Sequence, residues 1–287
     1  MSRKPPVDTA NLKVIDSLDT GDVWVLKELP DDAFFTIGAI TTDFDGDPMA
    51  YGNKHKHPGI SPHDHLANGG HPGNWWGVVT NTRKKNGTPI EQVGSTPTKP
   101  NPAQPYKNYM ISTTKLIDSS YPAEDDVRHW TDATKIPYVA LPNSRRSMHR
   151  IGLKTGCYCL LVDLQTMKFC FAVYADSKAA TPRMGEISTR AVDLLGNADG
   201  SILILVFPTS GQGQGIIPDE ATIQAKGREE LKLYSWMDDG DHLVKATRKI
   251  TNLSARLIQA GYHSNTPFAD IDVEGEINVT GTFGRTR

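Results

Sequence analysis

The chain has 287 residues, of which 31 are basic and 33 acidic, so its formal net charge at neutral pH is only −2. This length is enough for one large or two ordinary domains with a full hydrophobic core, and the balanced charge argues against a nucleic-acid-binding protein. No apolar run is long enough to cross a membrane, and the N-terminal stretch "MSRKPPVDTANLKV" lacks the apolar segment of a secretory signal.

Short apolar runs follow one another along the chain up to residue 208. They are rich in Val, Ile, Phe and Tyr and are bounded by Gly, Pro, Asn and Asp, which is typical of β-strands. In chain order the runs are "DVWVLKEL", "FFTIGAITT", "WWGVVT", "YMISTT", "YVALP", "CYCLLVDL", "FCFAVYA" and "SILILVFP". The sequence therefore predicts a mainly β core, of the α+β class, with a few flanking helices.

Helical spacing occurs in the second half of the chain. In "GEISTRAVDLLG" the apolar residues Ile187, Ala191, Leu194 and Leu195 recur at helical intervals, and Gly196 stands where a helix would stop. Further helices are predicted in "DEATIQAKGREELKLYSWM" and "NLSARLIQAG". The C-terminal stretch "FADIDVEGEINVTGTFG" alternates apolar and polar residues as an exposed edge strand would.

The three cysteines are Cys157, Cys159 and Cys170, an odd number that argues against a disulfide framework. In a strand, Cys157 and Cys159 would point to the same face. We predict buried free thiols, because Cys behaves as a small hydrophobe in protein cores, and one bridge to a neighbouring strand is the alternative. A C-x-C pair without a second metal-binding pair is weak evidence for zinc.

The segment between Gly52 and Pro105 is rich in Gly, Pro, Asn and His and is predicted to be mostly loop. Its histidines include two H-x-H pairs that could ligate zinc or copper. No nearby Cys or HExxH helix would fix such a site, so we predict no metal and no other cofactor. These imidazoles would then belong to the loop surface or orient a sugar. The histidines are His55, His57, His63, His65 and His71.

Three aspartates, Asp43, Asp45 and Asp47, alternate in the stretch "TTDFDGDP". The pattern is similar to the opening of a calcium loop, but Lys54 occupies the twelfth position, where such a loop needs a bidentate Glu. Two interpretations remain open: a solvated β-turn, and an acidic rim that attracts a cationic substrate.

Aromatic residues are frequent in the same half of the chain. Exposed rings can stack against sugars, with an additional cation–π attraction when the sugar carries an ammonium group. We predict this role for Tyr51, Trp75 and Trp76, and core packing is the alternative for each. The remaining aromatic candidates are Tyr106, Tyr109, Trp130 and Tyr138.

Two carboxylates flank the Pro-containing loop of "FAVYADSKAATPRMGEIS". Asp176 ends an apolar run, and Glu186 lies at the predicted start of the first helix. Hydrolysis of a glycosidic bond needs one carboxylic acid to protonate the leaving oxygen and one carboxylate to activate water or attack carbon. Asp176 and Glu186 would supply these groups. Each also has an ordinary structural explanation, because Asp is common at strand ends and an acidic first helical turn stabilises the helix dipole.

Several of these segments follow one another, between residues 33 and 236, in an order that resembles a known family. They are "AFFTIGAITTDFDGDPMAYG", "GNWWGVV", "YMISTTKLID", "IPYVALP", "KFCFAVYADSKAATPRMGEISTRAVDLLG" and "ILILVFPTSGQG". Together they resemble glycoside hydrolase family 75, the fungal-type chitosanases and their bacterial relatives. The resemblance implies a double-psi-like β-barrel core and an endo-acting, inverting hydrolase of the β-1,4 bonds between glucosamine units of chitosan. The essential Asp and Glu of the family correspond to Asp176 and Glu186.

The chain differs from the family pattern next to the first carboxylate. Ala175 and "SKAATPRM" replace a Gly-rich turn, and Lys178 and Arg183 add two cations beside the expected site. Cations lower the pKa of a nearby carboxyl group, and they would repel a polycationic substrate. They would suit a polymer that carries carboxylates, such as peptidoglycan.

The resemblance divides the chain into three parts. We expect residues 1–32 to form a lead-in strand, residues 33–250 a chitosanase-like catalytic domain, and residues 251–287 a helix–strand appendage. The expected partner is a polysaccharide, either chitosan or a related amino-sugar polymer, and neither nucleic acid nor membrane. Because the family usually works outside the cell, the resemblance favours secretion, although this chain shows no signal segment.

The expected chemistry is inversion at the anomeric carbon. One of Asp176 and Glu186 would activate water while the other protonates the leaving oxygen, and Glu186 is favoured as the acid. Asp43, Asp45 and Asp47 would bind substrate ammonium groups. Two alternatives stay open: a non-catalytic carbohydrate-binding relative that has kept the fold without the chemistry, and a hydrolase of another amino-sugar polymer such as peptidoglycan.

Overall fold

A computed structural model describes residues 12–18, 21–26, 33–92, 106–141, 153–163, 165–166, 168–177, 185–196, 201–232, 277–280 and 282–285. Strands dominate this part of the chain. They are β1 (Leu12–Leu18), β2 (Gly21–Leu26), β3 (Phe34–Ala39), β4 (Thr41–Asp43), β5 (Gly70–His71), β6 (Asn74–Trp75), β7 (Tyr138–Ala140), β8 (Tyr158–Asp163), β9 (Phe169–Asp176), β10 (Glu186–Ser188), β11 (Ser201–Phe207), β12 (Ile277–Thr280) and β13 (Thr282–Arg285).

Nine of these strands form one mixed sheet in the order β1-β2-β3-β11-β8-β9-β7-β10-β4. Most neighbours are antiparallel, but β10 runs parallel to β4 and β7 runs parallel to β9. Strands β5 and β6 form a separate two-stranded sheet, as do β12 and β13. The prediction of a mainly β fold is confirmed. Over the described residues, the strand pairings run from β1 to β4 without returning to β1, so they show a mixed sheet and do not show a closed barrel.

The centre of the sheet consists of β8, β9 and β11, whose apolar side chains are buried. One face carries the main core, to which Cys159 and Leu161 contribute. Helix α2 (Glu220–Lys232) packs on the other face of β9, where the side-chain amide of Gln224 accepts a hydrogen bond from the N–H of Phe171 and donates one to its carbonyl. Burial on both faces explains why these strands are continuous apolar runs in the sequence.

All three cysteines are free and buried, as predicted. Cys157, Cys159 and Cys170 all belong to the main core, on one face of the sheet. Burial raises the pKa of the Cys159 and Cys170 thiols, so both stay protonated at neutral pH. These thiols therefore act as apolar packing groups.

The helix predicted in "GEISTRAVDLLG" begins later than its apolar spacing suggested. Glu186–Ser188 form β10, and helix α1 covers Thr189–Leu194 with Ser188 as its N-cap. The prediction that Glu186 starts a helix is therefore wrong. Ile187 reaches the main core from a strand, and an apolar residue just before a helix extends the apparent helical spacing towards the N-terminus.

The C-terminal end of α1 and the position of the second helix agree better with the sequence. Gly196 follows α1 with a backbone φ of +78°, the left-handed conformation that favours glycine at a helix stop. The second predicted helix is confirmed as α2, up to Lys232, while the third, at residues 252–261, lies outside the described residues. Neither of the two α-helices in the described part of the chain is both long and apolar enough to span a bilayer.

Most of the predicted strands are confirmed, as β2, β3, β7, β8, β9 and β11. The runs "WWGVVT" and "YMISTT" instead contribute mainly isolated bridges, such as Val78 with Ser112 and Met110 with Glu91. Strand β1 is an addition to the prediction, and it turns the N-terminal lead-in into a hairpin that joins the sheet through β3. The C-terminal tail ends in the β12–β13 hairpin, where a single edge strand was expected.

Ser188 joins three parts of this fold and is fully buried. Its hydroxyl accepts hydrogen bonds from the N–H of Tyr138 at 3.0 Å and from the N–H of Ala191 at 3.2 Å. The same hydroxyl donates to the carbonyl of Ile136 at 2.8 Å. One side chain thus caps α1 and fixes the chain that leads into β7.

We predict that Ser188→Ala lowers the free energy of unfolding by about 2 kcal/mol, because it removes the cap and leaves the buried N–H of Tyr138 without its acceptor. Denaturant titration measures this loss. The control is Asp219→Ala, which removes the hydrogen bond from the N–H of Thr222, in the first turn of α2, to an exposed carboxylate. The control should lose clearly less stability, and equal losses would contradict the assigned role of Ser188.

Candidate active site

Four carboxylates come together beside strands β4, β9 and β10. Asp43 ends β4, Asp45 follows in the next turn, Asp176 ends β9, and Glu186 begins β10. Oxygen atoms of Asp43, Asp45 and Asp176 all lie within 4.8 Å of one another. The charge of Glu186 contributes to the raised pKa of Asp176, so this fourth carboxylate is also close. Two of the three predicted substrate-binding aspartates therefore lie with the two predicted catalytic residues.

The sheet must curve strongly to bring these groups together. Strands β4 and β9 are three strand spacings apart in the order β4-β10-β7-β9, which is about 14 Å in a flat sheet. Two aspartate side chains cannot bridge that distance, yet their oxygen atoms lie within 4.8 Å. Asp43 and Asp176 therefore project from the concave face of a curved sheet.

A bulge in β9 turns Asp176 towards this concave face. Val139 of β7 pairs with Tyr174, but the next residue, Ala140, pairs with Asp176, which leaves Ala175 as the extra residue. Alternate residues of β9 up to Tyr174 face the main core, and without the bulge Asp176 would continue that alternation. The extra residue shifts the alternation by one position, so Asp176 points to the opposite face, with Ala140.

Backbone hydrogen bonds hold the bulge in place. The carbonyl of Ala175 accepts from the N–H of Lys115 at 2.9 Å and from the N–H of Leu116 at 2.7 Å. The carbonyl of Asp176 accepts from the N–H of Leu141 at 3.0 Å, and its Oδ1 accepts from the N–H of Ser177 at 2.7 Å. The direction of Asp176 is thus fixed by chain segments on both sides.

A single row of paired residues links Asp176 to Glu186. Ala140 of β7 pairs with Asp176 on one side and with Glu186 on the other, and Glu186 pairs in turn with Thr41 of β4. Directly paired residues share a face of the sheet, so both carboxylates project on the same side with only a methyl group between them. The Thr41 hydroxyl donates to Oε1 of Glu186 at 3.1 Å, which orients this carboxylate.

Asp45 lies in a network of hydrogen bonds. Its Oδ1 accepts from the hydroxyl of Tyr51 at 2.7 Å and from that of Ser112 at 3.1 Å, and its carbonyl accepts from the hydroxyl of Tyr138 at 2.9 Å. The N–H of Asp45 donates to Oδ1 of Asp43 at 2.9 Å. The acidic turn is therefore built into the protein and is not a solvated loop.

Crowding raises the proton affinity of this cluster. Burial, and next the charge of Asp43, raises the pKa of Asp45 and of Asp176 well above the usual value of a carboxyl group. The hydrogen bonds from Tyr51 and Ser112 lower the pKa of Asp45, but burial outweighs them. Carboxylates this close together repel one another when ionised, so the cluster favours holding a proton at neutral pH.

Asp47, the third predicted substrate-binding aspartate, lies apart from the other two. Its side chain is only 2% exposed, and its Oδ2 contacts Nδ1 of His63 at 2.5 Å. Its Oδ1 accepts from the N–H of Met49 at 2.8 Å. Asp47 thus faces the segment between residues 52 and 71 that contains His55, His57, His63, His65 and His71, here called the histidine loop. Its side chain does not belong to the carboxylate cluster.

The three predicted sugar-stacking aromatics have different environments. Tyr51 and Trp75 are buried, so neither ring is open to a sugar. Trp76 is 46% exposed, and its indole N–H donates to the carbonyl of Asn68 at 2.7 Å. The next residue, Gly77, approaches the cluster, because a Cβ at that position would lie 3.5 Å from Oδ1 of Asp45. Of the three predicted stacking residues, Trp76 is therefore the exposed one, and it is next in sequence to a residue that lies against Asp45.

A cation could occupy the space between Asp43, Asp45 and Asp176, since three carboxylates surround it. The calcium-loop alternative is not supported, because Asp47 turns away from the other two aspartates to contact His63. Among the described residues, no histidine belongs to a group of three or more ligand side chains within 4.8 Å of one another. The two cations expected beside the site, at positions 178 and 183, lie outside the described residues.

Several partners of the carboxylates were not predicted from the sequence. Thr41, Ser112 and Tyr138 contact Glu186 or Asp45 directly, as the hydrogen bonds above describe. The unpredicted Lys115 donates from Nζ to the hydroxyl of Tyr174 at 2.9 Å, and burial lowers the pKa of this lysine. The sequence carries no local signal for these roles, because each partner lies far along the chain from the group it contacts.

Comparison with known proteins adds no relative: no protein-family profile matches this chain, and no curated protein matches it significantly. The resemblance to the family 75 chitosanases therefore stays a prediction.

We predict that Asp176→Asn stabilises the protein at neutral pH. The raised pKa of Asp176 means that the folded protein holds a proton that the unfolded chain releases above about pH 4. The stabilisation that the Asp176 carboxyl group contributes to the wild type is fully present below that pH, and it is lost as the pH rises through the pKa of Asp176 in the folded protein. An amide imitates the protonated acid, so the variant should gain about 1 kcal/mol or more at about pH 7 and almost nothing at about pH 3.5.

Thermal and denaturant unfolding at the two pH values measure the gain. Asp193→Asn, at an exposed position of α1, is the control and should change stability little at either pH. A wild type that is as stable as Asp176→Asn at neutral pH would contradict the crowded, partly buried carboxylate cluster.

Proposed function

We propose that this protein is an endo-acting, inverting glycoside hydrolase that cleaves β-1,4 bonds between glucosamine units of chitosan, with Asp176 and Glu186 as its catalytic pair. The observation that carries the proposal is the row in which Ala140 pairs with both residues. It supports a catalytic pair because two carboxylates project on one face with a small side chain between them.

The spacing in this row supports inversion. Asp176 and Glu186 are two strand spacings apart, which is about 9.5 Å in a flat sheet. The curvature described above shortens this distance for side chains on the concave face. Inverting enzymes keep their two carboxyl groups about 6.5 to 9.5 Å apart to admit water, whereas retaining enzymes need about 5 to 5.5 Å. Two carboxylates on adjacent strands would lie about 4.8 Å apart, which is nearer to the retaining distance than the separation in this row.

The environments of the two carboxylates support opposite roles. The raised pKa of Asp176 favours a protonated carboxyl group at neutral pH, which can donate to the leaving oxygen. The sequence favoured Glu186 as the acid, but the raised pKa of Asp176 supports the opposite assignment. We therefore assign Glu186 as the base, held by the hydroxyl of Thr41.

The reaction then needs one proton transfer at each carboxylate. Asp176 gives its proton to the glycosidic oxygen as the bond to the anomeric carbon breaks. Glu186 takes a proton from a water molecule, whose oxygen attacks the anomeric carbon from the opposite face. The product has the inverted configuration at that carbon. Glu186 then releases its proton to solvent and Asp176 takes one up from solvent, which the charge of Asp43 favours.

The surroundings of the pair support a cationic sugar polymer as substrate. Asp43 and Asp45 offer negative charge for an ammonium group beside the catalytic row. Trp76 offers an exposed ring one residue from the point where Gly77 approaches Asp45, and a sugar face can stack there. An amino sugar has both features, an apolar face and an ammonium group.

We also infer that the mixed sheet is the core of a double-psi-like β-barrel, as the family resemblance implies. Its support is the strong curvature between β4 and β9 and the two parallel pairs, β7 with β9 and β4 with β10, within an otherwise antiparallel sheet. A crystal structure of the full chain tests it through the pairing of the outer strands.

We predict that Asp176→Asn and Glu186→Gln each reduce turnover of weakly acetylated chitosan by at least about 100-fold, because each removes a proton-transfer group. Reducing-end release gives the rate, and mass spectrometry of the products distinguishes oligomers from single sugars. Both variants should still bind the polymer. Proton NMR of the first product should show the anomeric configuration inverted.

Other outcomes would separate the alternatives. Binding of chitosan without turnover by the wild type would favour a non-catalytic carbohydrate-binding protein. Cutting of peptidoglycan but not chitosan would favour the other polymer, and full activity of Glu186→Gln would remove that residue from the mechanism. Asp193→Asn should leave turnover unchanged.

We also predict that Trp76→Ala raises KM for chitosan oligomers about five- to tenfold with little change in kcat, because a stacking contact of about 1 kcal/mol is lost from substrate binding. Steady-state kinetics on oligomers of defined length measure both constants. Ile216→Ala, which truncates the other exposed large apolar side chain of the described residues, is the control. Equal effects of the two substitutions would count against a sugar-binding role for Trp76.

A further inference from the structure

The histidine loop contains a cavity that the proposed hydrolase chemistry does not use. It has a volume of about 570 Å³ and is lined by residues 52–55 and 62–66. His55, His63 and His65 all line it, together with the carboxylate-bearing Asp64. Residues from two separate stretches of the loop thus line one space, and three of them are histidines.

One of these imidazoles is held in a fixed orientation. His63 contacts Oδ2 of Asp47 through Nδ1, and Asp47 is 2% exposed and anchored by the N–H of Met49. Donation from Nδ1–H to this carboxylate leaves the lone pair on Nε2. The side chain of His63 is 41% exposed, so its ring is accessible to solvent. A buried carboxylate behind one ring nitrogen is the arrangement that orients metal-binding histidines in proteins.

We propose that His63, together with His55 and His65, binds a borderline transition-metal ion such as Zn²⁺ or Cu²⁺, with Asp47 as the orienting carboxylate. Neutral imidazole nitrogen suits these ions, whereas the all-oxygen cluster of Asp43, Asp45 and Asp176 does not. The site is separate from the catalytic row and does not depend on the proposed hydrolase function.

Metal binding requires the exposed ligands to move. The three imidazoles do not stand within 4.8 Å of one another, unlike the carboxylate cluster. His55 and His65 are both exposed, so their side chains can rotate between staggered conformations at little cost. His63 is the fixed member, and an ion on its Nε2 would draw the other two imidazoles towards it and tie residues 52–55 to residues 62–66.

Isothermal titration of the full chain with Zn²⁺ tests this proposal. The wild type should bind one ion per chain, and His63→Gln, at an exposed position, should abolish measurable binding. Asp47→Asn should weaken binding about 10- to 100-fold, the usual effect of removing an orienting carboxylate. The matched control is His71→Gln, because His71 is also exposed but lies outside the cavity and beside Trp76.

Thermal unfolding without metal checks that each variant folds. Because Asp47 is buried, its variant could lose stability, and His65→Gln then takes its place, with weaker binding expected. Absence of Zn²⁺ binding by the wild type would overturn the proposal. Equal losses in His63→Gln and His71→Gln would overturn it as well, because they would indicate diffuse binding by the whole histidine loop.

Discussion

The geometry of the carboxylate site depends on one extra residue in β9. Ala175 breaks the alternation of the strand, so Asp176 leaves the side of the apolar core and joins Ala140 on the concave face. The shift brings Asp176 to the other carboxylates, because Asp43, Asp45 and Glu186 lie on that side. The carbonyl of Ala175 is held by two backbone N–H groups, and this keeps the displaced register at the end of the strand.

The carboxylate cluster lowers the stability of the fold but provides a group that can donate a proton. Burial of Asp43 and partial burial of Asp45 and Asp176 cost folding free energy at neutral pH, and only part of this cost is offset by the hydroxyl groups of Tyr51 and Ser112, which donate to Asp45. In return the cluster keeps a carboxyl group protonated where an ordinary aspartate would be ionised. Sites of this kind persist because the surrounding sheet, with its apolar centre on β8, β9 and β11, supplies the stability that they lack.

The sequence predicted the elements better than their contacts. The apolar run that ends at Asp176 was recognisable as a strand because both of its faces are buried, but nothing in its residue types marks the bulge at Ala175. Glu186 was misassigned because the apolar residue after it fits a helix as well as a strand. The sequence also grouped Asp47 with its neighbours, although a turn directs it to His63, because spacing along a chain does not reveal tertiary partners.

The three cysteines give this sheet a property that matters outside the site. Cys157, Cys159 and Cys170 are buried in the main core on one face of the sheet, and none of them forms a disulfide. A thiol reagent can reach them only when the residues packed on that face move away. The rate at which such a reagent modifies the native protein therefore reports how often the main core opens, and the wild-type chain carries this probe without any engineered label.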